Sequence, residues 1–331
     1  MTRGAMRIVI IAFAASVAFG QTTRVFRLTQ NESKQELEEI AGVLRVTADV
    51  QVSIDDMVRA VTVEGTVGQA AMAEWLIHQM DLPANGPYSG VHEYRPAAGS
   101  EDVVRVLYAG HVSTMEQLQA ISSAVQVLAH FQKGFRVYNA LRALALRGTN
   151  QQVSLAAWLV DQLDNPANVA DSSPHEYKLA DDDVARVFYL THAQTGQQLQ
   201  DLVTIIRSVG DVTWVTSCNE RHAIFMRNKA ERVALAAWLV SELDKPVSRQ
   251  TQDRTVPPEF RLSDDAENLV RVYHLAGPQS AEDYQKVATQ VRRKAGTARM
   301  FVYTALGALV VRGSAGQLAA AEKVLEEMKA Q

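Results

Sequence analysis

Arg24-Val-Phe-Arg-Leu28, Arg105-Val-Leu-Tyr108, Arg186-Val-Phe-Tyr-Leu190 and Arg271-Val-Tyr-His-Leu275 open four stretches of the chain alike, with their arginines 81, 81 and 85 residues apart. A second match follows each: Ala60-Val-Thr-Val-Glu-Gly65, Ala143-Leu-Ala-Leu-Arg-Gly148, Ala223-Ile-Phe-Met-Arg-Asn228 and Ala308-Leu-Val-Val-Arg-Gly313. A third is present in the first three stretches: Ala73-Glu-Trp-Leu-Ile77, Ala156-Ala-Trp-Leu-Val160 and Ala236-Ala-Trp-Leu-Val240. Each of these runs ends at an aspartate (Asp81, Asp164, Asp244), with a proline two residues on (Pro83, Pro166, Pro246). Three matches in fixed order identify a repeat.

The opening Arg-Val-aromatic run, β-branched and aromatic, predicts a strand. Leu37, Ile40, Ala41 and Leu44, and later Tyr284, Val287, Ala288 and Val291, recur at i, i+3, i+4 and i+7, which predicts an amphipathic helix. Two strand-like runs follow, such as residues 50–54 and 60–64. A glycine comes next, replaced once by Asn228, and reads as a residue chosen for left-handed backbone. A second helix with Met72, Trp75, Leu76 and Met80 on its buried face closes the unit, and the proline stops it. The expected fold is α+β: four tandem β-α-β-β-α two-layer modules of KH-like topology, joined by short extended linkers. The expected organisation is a signal peptide over 1–20 and repeats over 21–91, 92–174, 175–256 and 257–331. Each module core is only about 60 residues, marginal alone, so neighbours are expected to stabilise one another.

The linkers repeat too. His92-Glu-Tyr-Arg95, His175-Glu-Tyr-Lys178 and Pro258-Glu-Phe-Arg261 are spaced by 83 and 83 at the glutamate, which a flexible tether would not maintain. Tyr94, Tyr177 and Phe260 are therefore read as part of an extra strand or packed arm. The first copy is expected to lack a counterpart, because the leader stands there. Acidic stretches, residues 181–183 and 264–265, follow two of the arms and read as solvated surface.

The first 20 residues, with Arg3 and Arg7 ahead of an apolar stretch and small residues Ala18 and Gly20 before Gln21, predict a cleaved secretory signal. That stretch is short for a spanning helix, which needs roughly 20 apolar residues. The expected location is periplasmic or secreted, with no membrane span after cleavage. Hydrophobic residues make up 47% and charged residues 21%, enough to build packed cores. The whole chain carries −4; without Arg3 and Arg7, 31 basic residues face 37 acidic ones, giving −6. That balance argues against a nucleic-acid partner, which calls for clustered Lys and Arg. Gly65-Thr-Val-Gly68 and Gly313-Ser-Ala-Gly316 match a GxxG loop, but they join strand to helix and the pattern is lost at Gln151 and Glu231.

The chain resembles the short periplasmic repeat domain of bacterial secretins, the rings of type II and type III secretion and type IV pili. The closest matches are Ala308-Leu-Val-Val-Arg-Gly313 and the helix ending in Leu163-Asp164. The resemblance covers most of residues 24 to 329 and implies a module that packs side by side and touches partner proteins, without catalysis. No β-barrel segment follows the fourth copy, so a pore is not expected.

No catalytic or metal-binding constellation is legible. The eight histidines form no ligand motif, and His111 and His192 share a register that the fourth copy fills with Gly277 and Pro278. Cys218 is the sole cysteine, so no internal disulfide forms, and it lacks the context of a nucleophile. No cofactor is expected. The candidate contact residues, to neighbouring repeats or partners, are Arg24, Arg105, Arg186, Arg271, Trp75, Trp158, Trp238, Tyr94, Tyr177 and Phe260. The fourth copy carries Lys323 in place of the tryptophan, as befits a terminal repeat with nothing to cover. The expected function is an exported, non-enzymatic scaffold binding protein partners in the envelope, self-association included; the alternative is an exported protein binding a small molecule or glycan between repeats.

Overall fold

The computed structural model describes residues 10–11, 20–31, 33–84, 86–96, 100–170, 175–246, 256–262, 268–275 and 280–329. The acidic stretch at 264–265, Gly277, Pro278 and all of the leader except Ile10, Ile11 and Gly20 lie outside these residues.

The chain forms two compact units, Met1–Asn168 and Val169–Gln331. The first holds two four-stranded antiparallel sheets. One has the order β1-β2-β4-β3, from β1 (Ile10–Ile11), β2 (Gln21–Arg27), β3 (Gln51–Asp55) and β4 (Ala60–Thr66). The other has the order β5-β6-β8-β7, from β5 (Gly90–Tyr94), β6 (Asp102–Tyr108), β7 (Phe135–Tyr138) and β8 (Ala143–Thr149). Helices α1 (Lys34–Val43) and α2 (Val67–Met80) belong to the first sheet, α3 (Met115–Leu128) and α4 (Asn150–Asp164) to the second.

The second unit has the same plan. Its strands are β9 (His175–Lys178), β10 (Asp183–Tyr189), β11 (Trp214–Cys218), β12 (Ala223–Lys229), β13 (Glu259–Arg261), β14 (Leu269–His274), β15 (Met300–Tyr303) and β16 (Ala308–Gly313). They form sheets of order β9-β10-β12-β11 and β13-β14-β16-β15. Its helices are α5 (Gly196–Ser208), α6 (Ala230–Leu243), α7 (Ala281–Ala295) and α8 (Ala315–Lys329).

Local chemistry sets the helix starts. Ser33 with Glu36, Thr66 with Gln69, Thr114 with Gln117, Thr149 with Gln152 and Thr195 with Gln198 form capping boxes, each satisfying two otherwise orphaned N–H groups. These boxes also explain the repeated glycine, and here the expectation is corrected. Gly65, Gly148 and Gly313 have no left-handed backbone. They end or nearly end a strand, where a Cβ would stand 3.1, 2.8 and 2.6 Å from Oε1 of Gln69, Gln152 and Gln317. Asn228 is tolerated in the third copy because Arg232 replaces that glutamine, and the N-cap Lys229 of α6 makes no side-chain cap bond.

Two further expectations change. The first sheet does have a fourth strand, since Ile10 and Ile11 pair with Phe26 and Val25 at the position that β5, β9 and β13 take elsewhere. A sheet edge offers unpaired N–H and C=O groups to any extended segment within reach. The modules are also more than two layers in context. The second sheet covers its own helices with one face and α1 and α2 with the other: Val104, Val106, Tyr108, Tyr138, Ala143 and Ala145 share one buried cluster with Leu37, Ile40, Leu44, Met72 and Leu76. In the second unit Val270, Val272, Tyr303, Ala308 and Val310 join the cluster of Leu199, Leu202, Ile206, Leu235 and Leu239. Each unit is thus layered sheet, helices, sheet, helices.

Candidate functional site

The four opening arginines sit at the middle of β2, β6, β10 and β14 and each meets carboxylates. Arg105 lies opposite Glu93 of the arm strand, with Nη2 2.8 Å from the carboxylate. Arg186 lies opposite Glu176, at 2.9 Å, and Arg271 opposite Glu259, at 2.7 Å. Arg271 also holds Glu322 of α8, at 3.1 Å, and Arg24 holds the matching Glu74 of α2. The Arg105 guanidinium holds the Glu93 carboxyl below the usual carboxylate range. Arg186 in addition lies 4.9 Å over the Phe188 ring.

The tryptophans are half-buried on the closing helices. Trp75 meets Tyr94 of the next arm at 5.5 Å between ring centroids, and Trp238 meets Phe260 at 5.6 Å. Trp158 lies in the first unit and Tyr177 in the second.

Sequence reasoning noted the closing aspartates but missed their use. The Asp81 carboxylate, fully buried, accepts from the N–H of Thr29 at 2.9 Å, the N–H of Gln30 at 2.7 Å and the side chain of Asn31 at 3.0 Å. Asp164 accepts from the N–H of His111 at 2.9 Å, and Asp244 from the N–H groups of Thr191, His192 and Ala193. The end of the second helix is thereby tied to the loop after the opening strand. The constant helix-ending Leu-Asp, or Met-Asp at Met80, was the available signal.

A second missed pair joins neighbouring copies within a unit. Arg147 of β8 donates to the carbonyl of Thr47, just beyond α1, at 3.4 Å. Arg312, the matching residue of β16, donates to the carbonyl of Val209, beyond α5, at 2.8 Å, and to Asn268 at 2.6 Å. Arg312 is only 2% exposed, and desolvation brings its guanidinium down to about 10. Glu39 of α1 accepts from the N–H and side-chain amide of Asn139, both at 2.9 Å, and the Tyr138 hydroxyl donates to Asn31. The arginine of the Ala-Leu-x-x-Arg-Gly motif could have flagged this latch.

A polar cleft of about 670 Å3 lies between the first and second copies, lined by Asp49, Asp102, Lys133, Arg147, Thr149 and Gln152 among others. Among the described residues no three His, Cys, Asp or Glu side chains assemble into a metal-binding group, and no helix is long and apolar enough to cross a membrane. Cys218 is buried, which pushes its thiol up to about 11, the opposite of an activated nucleophile.

No family model and no curated protein matches the chain. Among solved structures it is similar to Aeromonas hydrophila ExeD, at 15% identity and a TM-score of 0.17, over 69% of this chain and 42% of that one. It is also similar to a chain of the ETEC pilotin–secretin AspS–GspD complex, at 16% identity and TM-score 0.17, over 70% and 38%. A third is the N-terminal domain of the secretin XcpQ from Pseudomonas aeruginosa, at 12% identity and TM-score 0.21, over 64% and 93%. The chain spans less than half the length of the first two.

Proposed function

We propose that the chain is an exported, non-enzymatic scaffold of four tandem copies of one β-α-β-β-α module, mediating protein–protein assembly in the cell envelope, in a secretion or pilus system. The observation that carries this reading is what the modules do with their surfaces. Each arm strand is captured at a sheet edge through an Arg–Glu pair, and in each unit the outer face of the second sheet is laid on the helices of the first. These are modes of binding polypeptide. The secretin-like sequence pattern supplies the system. Cross-linking from a photoreactive residue at Met57, 92% exposed at the tip between β3 and β4, tests it in the native cell. The expected results are covalent adducts with an envelope protein and a mature terminus at Gln21 by mass spectrometry. A cytoplasmic chain with an intact start and no adduct overturns the proposal.

The cleft between the first two copies favours a second reading, an exported protein that binds a small molecule or glycan. A saturable rise in Tm with soluble cell-wall fragments, abolished by Lys133→Ala, would select it.

A further inference from the structure

Three of the four sheets hold their outer strand by one chemistry. Glu93, Glu176 and Glu259 stand opposite Arg105, Arg186 and Arg271 in register. In each arm an aromatic residue follows (Tyr94, Tyr177, Phe260), and then a basic one. The first sheet keeps the receiving half of this arrangement without the other half. Arg24 occupies the same register in β2, while the described residues of β1, Ile10 and Ile11, pair with Phe26 and Val25. Residues 1–20 contain neither Asp nor Glu, so no part of that segment brings a carboxylate to Arg24.

Arg24 is not saturated by the partner it has. Its guanidinium holds Glu74 on α2, and the matching pair in the last sheet is Arg271 with Glu322. Arg271 holds Glu259 of its arm strand at the same time. One guanidinium in this fold therefore serves a helix carboxylate and a strand carboxylate together, as its five-donor fork permits.

We propose that the edge of β2 is a docking site for an extended segment of a partner protein that sets a glutamate opposite Arg24, and that Ile10–Ile11 stands on this edge until the leader is removed. The backbone of β2 supplies the ladder of N–H and C=O groups, and Arg24 sets the register. A second copy is the poorer occupant. Two β2 edges paired antiparallel about their centres put Arg24 opposite Arg24, and like charges directly opposite are unfavourable. The arms of the chain are in turn engaged on β6, β10 and β14. The inference rests on the scaffold reading and names the chemistry of one partner contact.

The probe is a synthetic peptide of the chain's own arm, residues 88–96, which carries the Glu-Tyr-Arg pattern. It is titrated into isotopically labelled protein, once as the full chain and once beginning at Gln21, and followed by backbone amide shifts. The expected result is saturable shifts along residues 21–27, stronger in the chain beginning at Gln21. The peptide with Glu93→Lys should bind about tenfold more weakly, as loss of a charge-assisted pair implies. Shifts elsewhere only, equal binding of the two peptides, or no saturable shift at millimolar peptide overturns the edge. Cross-linking from Met57 that persists in that case leaves the scaffold reading standing; loss of both overturns both.

Discussion

At the scale of single residues, buried polar groups carry the specificity of this fold. Asp81 is fully buried and serves four donors from three successive residues. Removing it leaves the buried Asn31 amide and the part-buried N–H groups of Thr29 and Gln30 without this acceptor, so Asp81→Ala should cost about 2–3 kcal/mol. Urea unfolding followed by the Trp75 and Trp158 fluorescence of the first unit would show a lowered midpoint, with the second unit unchanged. Burial also predicts an alkaline response. It pushes the Cys218 thiol from 9.0 to about 11 and the Tyr303 hydroxyl from 10.0 to about 12, and it raises Tyr108 and Tyr138 as well. Because the unfolded chain loses these protons first, the stabilisation is complete below pH 9.0 and is lost as pH rises through the folded values. Arg312, lowered to about 10, works in the opposite sense, since its burial cost falls once it deprotonates. Tyr88 and Tyr273 are raised by burial too, so six groups against one predict a urea midpoint that is flat to pH 9.0 and then declines. Native Cys218 should likewise resist alkylation at pH 8 and react once the chain is unfolded.

At the scale of elements, the arm strands β5 and β13 connect the two copies within each unit. β5 pairs with β6 in the second sheet while its Tyr94 meets Trp75 on α2, and β13 does the same through Phe260 and Trp238. A double-mutant cycle over Trp75→Ala and Tyr94→Ala should give a coupling of about 0.5–1.5 kcal/mol, the size of an aromatic pair beyond its area burial. A coupling near zero would show that the rings are neighbours without mutual stabilisation. Strand and helix positions were readable because each depends on local spacing: the i, i+3, i+4 pattern and the aromatic β-branched run. The role of the repeated glycine was not readable, because only the folded strand end shows its Cβ direction filled by a glutamine four residues on.

At the scale of the whole molecule, burial of both faces of a sheet binds the two copies within each unit. Val106 and Val272 are 0% exposed on faces turned away from their own helices. A fragment of residues 21–91 would expose the apolar face of α1 and α2 that the second sheet covers, whereas residues 21–168 would keep it buried. The short fragment should therefore lack a cooperative thermal transition and bind hydrophobic dye, and the longer one should unfold cooperatively. Cooperative unfolding of the short fragment would show that each module is self-sufficient.

The sequence by itself determined the recurring motifs, the mixed helix and strand content and the aromatic–charged register of the arms, since these follow from local patterns that recur at a near-fixed period. It even carried a sign of the stacking that went unread. β6 is apolar at Val103, Val104, Val106, Leu107 and Tyr108, on both faces, whereas β2 is polar at Gln21, Thr22, Thr23, Arg24 and Arg27 and buries only Phe26. Only the tertiary structure decided which helices the second face covers, which carbonyls Arg147 and Arg312 reach, and that Asp81, Asp164 and Asp244 tie each helix end to a loop about 50 residues away in the chain. Such contacts depend on where distant segments come to lie in space, and no local period encodes that.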